Sequence, residues 1–249
     1  MLLGTAAWPE GPVQRRALVA RLASGRLADL NRIEAVRLRK LGEGEPERLA
    51  EVLVPGSLRR MLDGGSRALA RVRQTVAYAE KWDRRGTLPE GLTPAPETAT
   101  LFPCLPRPAL LHRLEAGALD RFGVKGPGAE LSSPPQPGLA AIGLAGGGLA
   151  GYCLVMEDAG GTVLGAWMTD EWPTGDFELK AGAVRRAVSL KAWEGLALPL
   201  LRAGEVILLP PPRWKALPRL PVGAEVLVSA GFDRMALRIG PEGVHPTVQ

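Results

Sequence analysis

Two apolar runs joined by glycines constrain the fold more than any other feature of this sequence. Residues 139–144 are apolar, Gly146-Gly147-Gly148 follows shortly after, and a second apolar run covers residues 149–156. Glycine adopts the positive φ angles of tight turns without steric cost, so this pattern predicts a β-hairpin. A dinucleotide-binding loop would need a helix after the glycines and an acid about 20 residues later. The strand-like run that follows the glycines favours the hairpin.

The composition is that of a globular protein with a packed core. Of the 249 residues, 46% are hydrophobic, which suffices for one large domain or for two smaller ones. No run of about 18 apolar residues is present to span a membrane. The N-terminal MLLGTAAWPEGP has no basic segment before an apolar one, so we expect no signal peptide.

Cysteine and histidine are both scarce. Cys104 and Cys153 are the only two cysteines, and their spacing matches no metal motif. We predict that they are buried, reduced thiols of a cytoplasmic protein. With only His112 and His245 in the chain, a zinc site built from several histidines is excluded.

Positive charge is concentrated in the first third of the chain. Residues 1–88 carry 17 Lys and Arg against 10 Asp and Glu, whereas the net charge of the whole chain is +5. A basic surface can attract nucleic acid. Here the arginines alternate with apolar residues on predicted helices, and few aromatic residues accompany them. This arrangement favours a solvated helix surface, so we predict no nucleic-acid partner.

The first 88 residues predict a small α+β unit. Alternating apolar residues on both sides of Ser24-Gly25 indicate two short strands. Helices are predicted where apolar residues recur every three or four positions. These are 32–41 with Asn31 as N-cap, Pro46–Leu53, a short turn after Ser57, and 67–82 with Ser66 as N-cap.

The density of proline rises between residues 88 and 108, which indicates an extended linker. We therefore predict an α+β protein with three parts: a small α+β N-terminal domain at 1–88, a Pro-rich linker at 89–108 and a mainly β domain at 109–249. A short helix is expected at 109–119. After residue 184, apolar runs bounded by Gly or Pro predict the strands of a β-roll or sandwich: 187–190, 196–201, 205–209, 225–229 and 235–239.

Acidic residues follow the second strand of the predicted hairpin. Glu157 and Asp158 end that strand, and further acids lie at Asp170, Glu171, Asp176 and Glu178. Carboxylates are the ligands that hard divalent cations prefer, so these residues would supply a magnesium site if they converged in space. An ordinary exposed loop has the same composition, and the sequence alone does not choose between the two.

Two single residues and one pair of residues are further candidates for a site. Lys125 lies in a glycine loop without P-loop spacing and could bind a substrate carboxylate, or belong to a plain surface loop. His112 could act as a general acid or base, or be structural. Asp176 and Lys180 are four residues apart and would form a local ion pair if that segment were helical. Neither a Gly-x-Ser-x-Gly elbow nor a cysteine close to a histidine supports nucleophilic catalysis.

The order of these segments resembles the fumarylacetoacetate hydrolase family. In the N-terminal part the similarity lies in GRLADLN at 25–31, in MLDGG at 61–65 and in the helix that follows. The proline-rich LFPCLPRPALL at 101–111 and the loop at 122–133 come next. The hairpin strands QPGLAAIGL and GYCLVMEDAGG are similar to the family's metal-binding strands. GDFELKAGA at 175–183 and LPVGAEVLVSAG at 220–231 resemble its last two motifs.

The resemblance implies a divalent metal, since three or four carboxylates of that family hold magnesium or manganese. The metal gathers a 2-oxo or enol acid for C–C hydrolysis, decarboxylation or isomerisation. Carried over position by position, the first two carboxylates fall at Gln136 and Gly138. The third falls at Glu157, or at Asp158 with a slip of one residue.

Other positions of the family pattern also differ. The family's lysine falls at Asp176, its closing Thr-Gly has become Ala230-Gly231, and His112 is not in register with the family's histidine-bearing segment. One carboxylate out of the set does not suffice to grip Mg²⁺. An aspartate in place of the lysine reverses the charge that would face an anionic substrate.

These departures predict a protein with the family scaffold that has lost or altered the metal-dependent chemistry. We expect no cofactor, or magnesium or manganese held by Glu157 and Asp158 if the activity is retained. An active hydrolase or isomerase of a 2-oxo dicarboxylic acid, with a rearranged acid cluster, is one alternative. A non-catalytic binding or partner subunit with a small carboxylic-acid ligand is another. The resemblance also implies a homodimer that pairs through the β domain.

Overall fold

A computed structural model describes residues 1–95, 97–114, 117–118, 124–125, 130–131, 135–158, 161–193, 195–209 and 220–240. Its four α-helices within these ranges all lie in the first third of the chain: α1 (Leu30–Lys40), α2 (Pro46–Leu53), α3 (Leu58–Asp63) and α4 (Gly65–Arg84). No helix of the described residues is both long and apolar enough to cross a membrane.

Strands fill most of the remaining described chain. In the first half they are β1 (Leu2–Glu10), β2 (Val13–Arg21), β3 (Leu27–Asp29), β4 (Thr100–Leu101), β5 (Leu110–Arg113), β6 (Gly117–Ala118) and β7 (Val124–Lys125). The later strands are β8 (Glu130–Leu131), β9 (Gln136–Leu144), β10 (Gly148–Asp158), β11 (Gly161–Thr169), β12 (Asp176–Ala181), β13 (Val184–Ser189), β14 (Glu205–Leu208), β15 (Glu225–Ala230) and β16 (Asp233–Ile239). The α+β class predicted from the sequence is confirmed.

The larger sheet joins the beginning of the chain to its middle. Its strand order is β3-β2-β1-β11-β10-β9-β14-β5-β6, with β4 paired to β1 and β7 paired to β11. Strand β1 pairs along its whole length with β2 and at its start with β11. This sheet therefore contains strands from both sides of residue 88. The division into domains at 1–88 and 109–249, with a linker at 89–108, stays a prediction.

The predicted hairpin is confirmed at the centre of this sheet. Strands β9 and β10 are antiparallel, and Leu144 pairs with Gly148 across the turn. Gly146 and Gly147 occupy the turn with φ of 90° and 81°, a region that favours glycine over residues with a side chain. The glycine triplet thus closes a turn between strands and precedes no helix.

The hairpin is buried on both faces. Ala140, Ile142, Cys153 and Val155 pack against the apolar sides of α3 and α4. On the opposite face, Leu139 and Leu154 pack against the second sheet, whose order is β13-β12-β15-β16-β8 and whose largest buried side chain is Phe177. The core therefore has three layers, with helices, the large sheet and the small sheet stacked in that order.

The helix boundaries differ from the predictions mainly at their caps. Asp29, not Asn31, accepts the capping hydrogen bond from the backbone N–H of Arg32, while the Asn31 amide donates to the carbonyl of Val54. Helix α4 begins at Gly65, so Ser66 lies inside it. Helix α2 and the Ser57 cap of α3 are found as predicted.

Two predicted segments have a different structure. The helix expected at 109–119 is wrong, because Leu110–Arg113 forms strand β5 in parallel pairing with β14. The strand expected at 196–201 is also wrong: that segment has no regular structure, and Pro199 lacks the N–H that a ladder requires. Strand pairing with β14 determines the structure of the first segment, and the missing N–H of proline prevents a strand in the second.

Candidate functional site

The one acid that the family pattern preserves is Glu157, and it lies at the end of β10. Its register partner on β9 is Gln136, while Gly138 pairs with Val155 two residues away. The three positions to which the resemblance carries the family's metal ligands therefore meet at one end of neighbouring strands. Gln136 is exposed and Gly138 has no side chain. The carboxylate of Glu157 is buried, with 11% of its side chain exposed.

Glu157 is paired with a guanidinium. The Nε and Nη2 atoms of Arg113 donate to Oε1 of Glu157 at 3.1 and 2.9 Å. Arg113 comes from β5, which β14 and β9 separate from β10 in the sheet order. Its side chain is 47% exposed, so the guanidinium reaches solvent as well as the buried carboxylate. A positive charge of the protein itself thus neutralises Glu157.

Two other candidates lie at the same end of the sheet. Asp158 pairs with Gly161, and Lys125 on β7 pairs in parallel with Val163. Thr162 pairs both with Glu157 and with Val124, so the backbone next to Lys125 is in register with Glu157, two strands away. The side chains of Asp158 and Lys125 are outside the described part of the structure, and their predicted roles stay predictions.

His112 does not join Glu157. It precedes Arg113 on β5 and pairs with Ile207 and Ala118. Successive side chains of a strand point to opposite faces of the sheet. His112 therefore lies on the face opposite to Arg113, and the structure gives it no place beside the preserved acid.

The remaining acids of the predicted cluster are dispersed. Asp170 accepts from the N-terminal amino group at 2.6 Å and from Arg73 at 2.7 Å. Burial opposes ionisation of Asp170, but these two hydrogen bonds outweigh it and lower the pKa of the carboxyl. Within the described ranges, no three His, Cys, Asp or Glu side chains are placed to share a metal ion.

An ion pair between Asp176 and Lys180 was predicted for a helical segment, but the segment is not helical. Both residues lie on strand β12, not on a helix. The ammonium of Lys180 instead lies 3.6 Å from Glu178, and Arg185 lies 3.9 Å from the same carboxylate. These pairs are largely exposed, so each stabilises the fold by well under about 1 kcal/mol.

A cavity of about 550 Å³ adjoins strands β12, β15 and β16. Asp176, Glu178 and Arg21 line it together with residues 229–234. The resemblance carries the family's lysine to Asp176 and its closing Thr-Gly to Ala230-Gly231. Glu157 is not among the lining residues, so the positions carried over from the family fall at two separate places.

The sequence reasoning missed the most perturbed group of this cavity, Asp233. The residue is 94% buried, and its carboxylate accepts from the backbone N–H of Arg234 at 2.7 Å and of Trp167 at 3.4 Å. Burial raises the pKa of Asp233 to about 6, although these hydrogen bonds and the charge of Arg21 oppose the rise. The alternation of Asp233, Met235, Leu237 and Ile239 could have placed it on the buried face, since all four are buried.

Solved structures of low sequence identity share the architecture that positions these residues. Maleylpyruvate hydrolase from Sphingobium sp. SYK-6, in complex with manganese(II) and pyruvate, aligns with a TM-score of 0.58 at 14% identity, over 96% of this chain and 99% of that one. The 5-carboxymethyl-2-hydroxymuconate delta-isomerase from Mycobacterium smegmatis aligns at 0.53 and 13% identity, with the same coverage. This chain has the fold of these enzymes.

A third structure extends the comparison to another reaction. A 2-keto-3-deoxy-D-arabinonate dehydratase complexed with magnesium and 2,5-dioxopentanoate aligns at 0.51 and 10% identity, over 96% of this chain and 99% of that one. No family model and no curated protein matches the sequence. The fold expected from the resemblance to the fumarylacetoacetate hydrolase family is confirmed, and at these identities the comparison shows the fold alone.

The described residues do not fit the divalent metal that the fold implies. A hard cation such as Mg²⁺ or Mn²⁺ needs several oxygen ligands. At the three positions that the resemblance marks, the described residues offer an exposed amide at Gln136, no side chain at Gly138, and at Glu157 a carboxylate already neutralised by Arg113. The guanidinium supplies the positive charge that a metal would bring to this place.

Proposed function

We propose that this protein uses the fold of the metal-dependent enzymes to bind a small carboxylic acid without a metal, and that it has lost their reaction. The observation that carries this proposal is the pair of Arg113 and Glu157. A metal in such a site would polarise substrate oxygens. A guanidinium binds a carboxylate through two parallel hydrogen bonds but has no open coordination position.

Arg113 retains the capacity to bind a ligand. Arginine has five N–H donors, and only its Nε and Nη2 atoms contact Glu157. The side chain is 47% exposed to solvent, so a ligand can reach it. Glu157 fixes the guanidinium in place, so less side-chain entropy is lost when a ligand carboxylate binds. In this proposal the protein is a cytoplasmic homodimer whose role is to bind a ligand or to serve as a partner subunit.

The cavity around Asp233 favours a second candidate, an enzyme. A carboxyl group with a pKa of about 6 exchanges a proton readily near neutral pH, as a general acid or base must. Asp176 and Glu178 line the same cavity. In this alternative these three acids would serve a hydrolase or isomerase of a 2-oxo dicarboxylic acid.

Melting temperatures with metals and oxalate test the first proposal. Oxalate carries the adjacent carboxylate oxygens of a 2-oxo acid, and a ligand at about 100 times its Kd stabilises the folded state by about 2.7 kcal/mol. We expect oxalate to raise the melting temperature equally in Mg²⁺, in Mn²⁺ and in chelator. A rise that needs the metal would overturn the proposal and support the enzyme.

Variants of the pair locate the oxalate site. Removing Arg113 alone would leave a buried, unpaired carboxylate, so the double variant R113Q/E157Q is used to keep the pair neutral. Since a hydrogen bond to a charged group contributes about 1.5–3 kcal/mol, we expect at least about tenfold weaker oxalate binding. The control is R185Q, which removes a strand arginine with a weak partner, Glu178. Equal losses in both variants would contradict a site at Arg113.

A further inference from the structure

We infer that a second cavity, between β1, β2, α3 and the segment 102–107, is a binding site for an organic anion. Its volume is about 440 Å³, within the range of small-molecule sites. Three arginines line it: Arg16 from β2, Arg59 from α3 and Arg107 from the segment after β4. The lining of this arginine cavity shares no residue with that of the Asp233 cavity, and neither Arg113 nor Glu157 belongs to it.

The positive charge of the arginine cavity is not neutralised by its lining, which contains no acid. Within the described residues, neither Arg16 nor Arg107 forms an ion pair. Arg16 is held by the ring of Phe102, 4.3 Å from its guanidinium carbon, a contact that leaves the N–H groups at the edge of the guanidinium free to donate. Three like charges facing one space favour an anion there.

The third arginine has only a weak partner. Arg59 contacts Asp63 at 3.3 Å, one helical turn away, and both side chains are about half exposed. Such a pair contributes little in water, so exchanging Asp63 for a ligand anion has a low cost. Ser57 adds a neutral donor, because its oxygen accepts from the backbone N–H of Arg60 and its own hydrogen remains available.

The floor of the arginine cavity is apolar. The partly exposed Pro106 lines it together with Leu58 and Leu105, which are each 99% buried. A small inorganic ion would leave the exposed surface of Pro106 in contact with water. A molecule with an apolar body and one or two carboxylates would cover the floor and place its charge at the arginines. The chemistry therefore selects an organic acid of a few carbons.

Calorimetric titration with adipate tests this inference. Adipate has a four-carbon apolar body between two carboxylates; hexane-1,6-diol has the same length without charge, and inorganic phosphate has charge without an apolar body. We expect saturable adipate binding that R16Q and R107Q each weaken at least about tenfold, as loss of a charge-assisted contact does. The control R48Q removes an arginine of α2 whose side chain is 83% exposed, and it should leave the Kd unchanged.

Each alternative result overturns the inference. Absence of saturable adipate binding, or equal binding by wild type, R16Q and R107Q, would remove the site. A loss confined to R113Q/E157Q would assign the adipate to the Arg113–Glu157 pair. The inference instead expects saturable adipate binding to persist in that variant and to weaken when R16Q is added to it. Hexanediol or phosphate binding as tightly as adipate would contradict the organic-acid class. Oxalate binding at Arg113 can fail without affecting any of these results.

Discussion

Replacing Gly151 with alanine is expected to lower the free energy of unfolding by about 3 kcal/mol, the upper part of the range for overpacked sites. A Cβ atom at this position would overlap the backbone carbonyl of Thr169 and would lie 3.0 Å from the side chain of Met168. The strand has little freedom to move away. Residues 151–153 of β10 pair with β9 on one side, and Tyr152 and Cys153 pair with β11 on the other. Urea unfolding followed by circular dichroism measures the change.

Gly148 provides the matched control for this prediction. It belongs to the same strand and the same glycine-rich segment, but a Cβ there would meet nothing closer than 3.8 Å. Alanine at 148 should therefore change the free energy of unfolding by less than about 0.5 kcal/mol. Similar values for the two variants would show that backbone flexibility, and not the close approach to Thr169, explains the glycines.

The sequence predicted strands from two signals: alternation between buried and exposed residues, and apolar runs bounded by glycine or proline, as in the buried hairpin of β9 and β10. Residues of β15 and β16 alternate between buried and less buried positions, and this period of two is visible in the amino acids themselves. Strand β1 was missed for the opposite reason. Residues 3–8 of β1 are all buried, because the strand lies inside a sheet covered on both faces, and no alternation marks such a strand.

The N-cap of α1 was misplaced because two neighbouring residues can both cap a helix. Asp29 and Asn31 both bear the oxygen that an N-cap requires. Tertiary contacts decide between them: Arg15 on the adjacent strand holds Asp29 at 2.6 Å, while Asn31 is drawn to the carbonyl of Val54. Both contacts join residues that are too far apart in the sequence to be recognised from the helix and its immediate neighbours.

The sequence predicted the acid of the candidate site, Glu157, but not the arginine that pairs with it. Glu157 was found because it ends an apolar strand at a position that the family pattern marks. Its partner Arg113 lies 44 residues away in sequence and was assigned to a helix. Only the parallel pairing of β5 with β14 brings Arg113 to the same sheet. A long-range ion pair of this kind follows from topology, which local patterns do not determine.

The second large effect that we expect concerns the pH dependence of stability. The contribution of Asp233 to the free energy of unfolding decreases as the pH rises, and an Asp233→Asn variant lacks this decrease. The pKa of Asp233 is raised from 3.8 to about 6 in the folded protein. Between these two pH values the folded state holds a proton that the unfolded state has released, so folding weakens as the pH rises. The rise corresponds to about 3 kcal/mol, since one pH unit is equivalent to about 1.4 kcal/mol.

Other groups act in the opposite direction, so the two proteins must be compared at each pH. Burial opposes ionisation of Glu34 and Asp170, but hydrogen bonds to Arg37 and to the N-terminus, among others, lower the pKa values of these two carboxyl groups. Their stabilisation is therefore lost as the pH falls. These contributions cancel in the difference between wild type and D233N, because both proteins contain them. That difference isolates the titration of Asp233.

Urea unfolding between about pH 3.5 and pH 7.5 measures this difference. We expect D233N to gain about 3 kcal/mol relative to wild type across the range, with most of the change complete by pH 6. The control D176N alters an exposed acid of the same cavity. Its free energy of unfolding should change with pH as that of wild type does. Parallel curves for D233N would mean that Asp233 ionises as easily in the folded protein as in the unfolded chain. The cavity would then hold no group poised to exchange a proton near neutral pH, and the case for an enzyme would lose its physical basis.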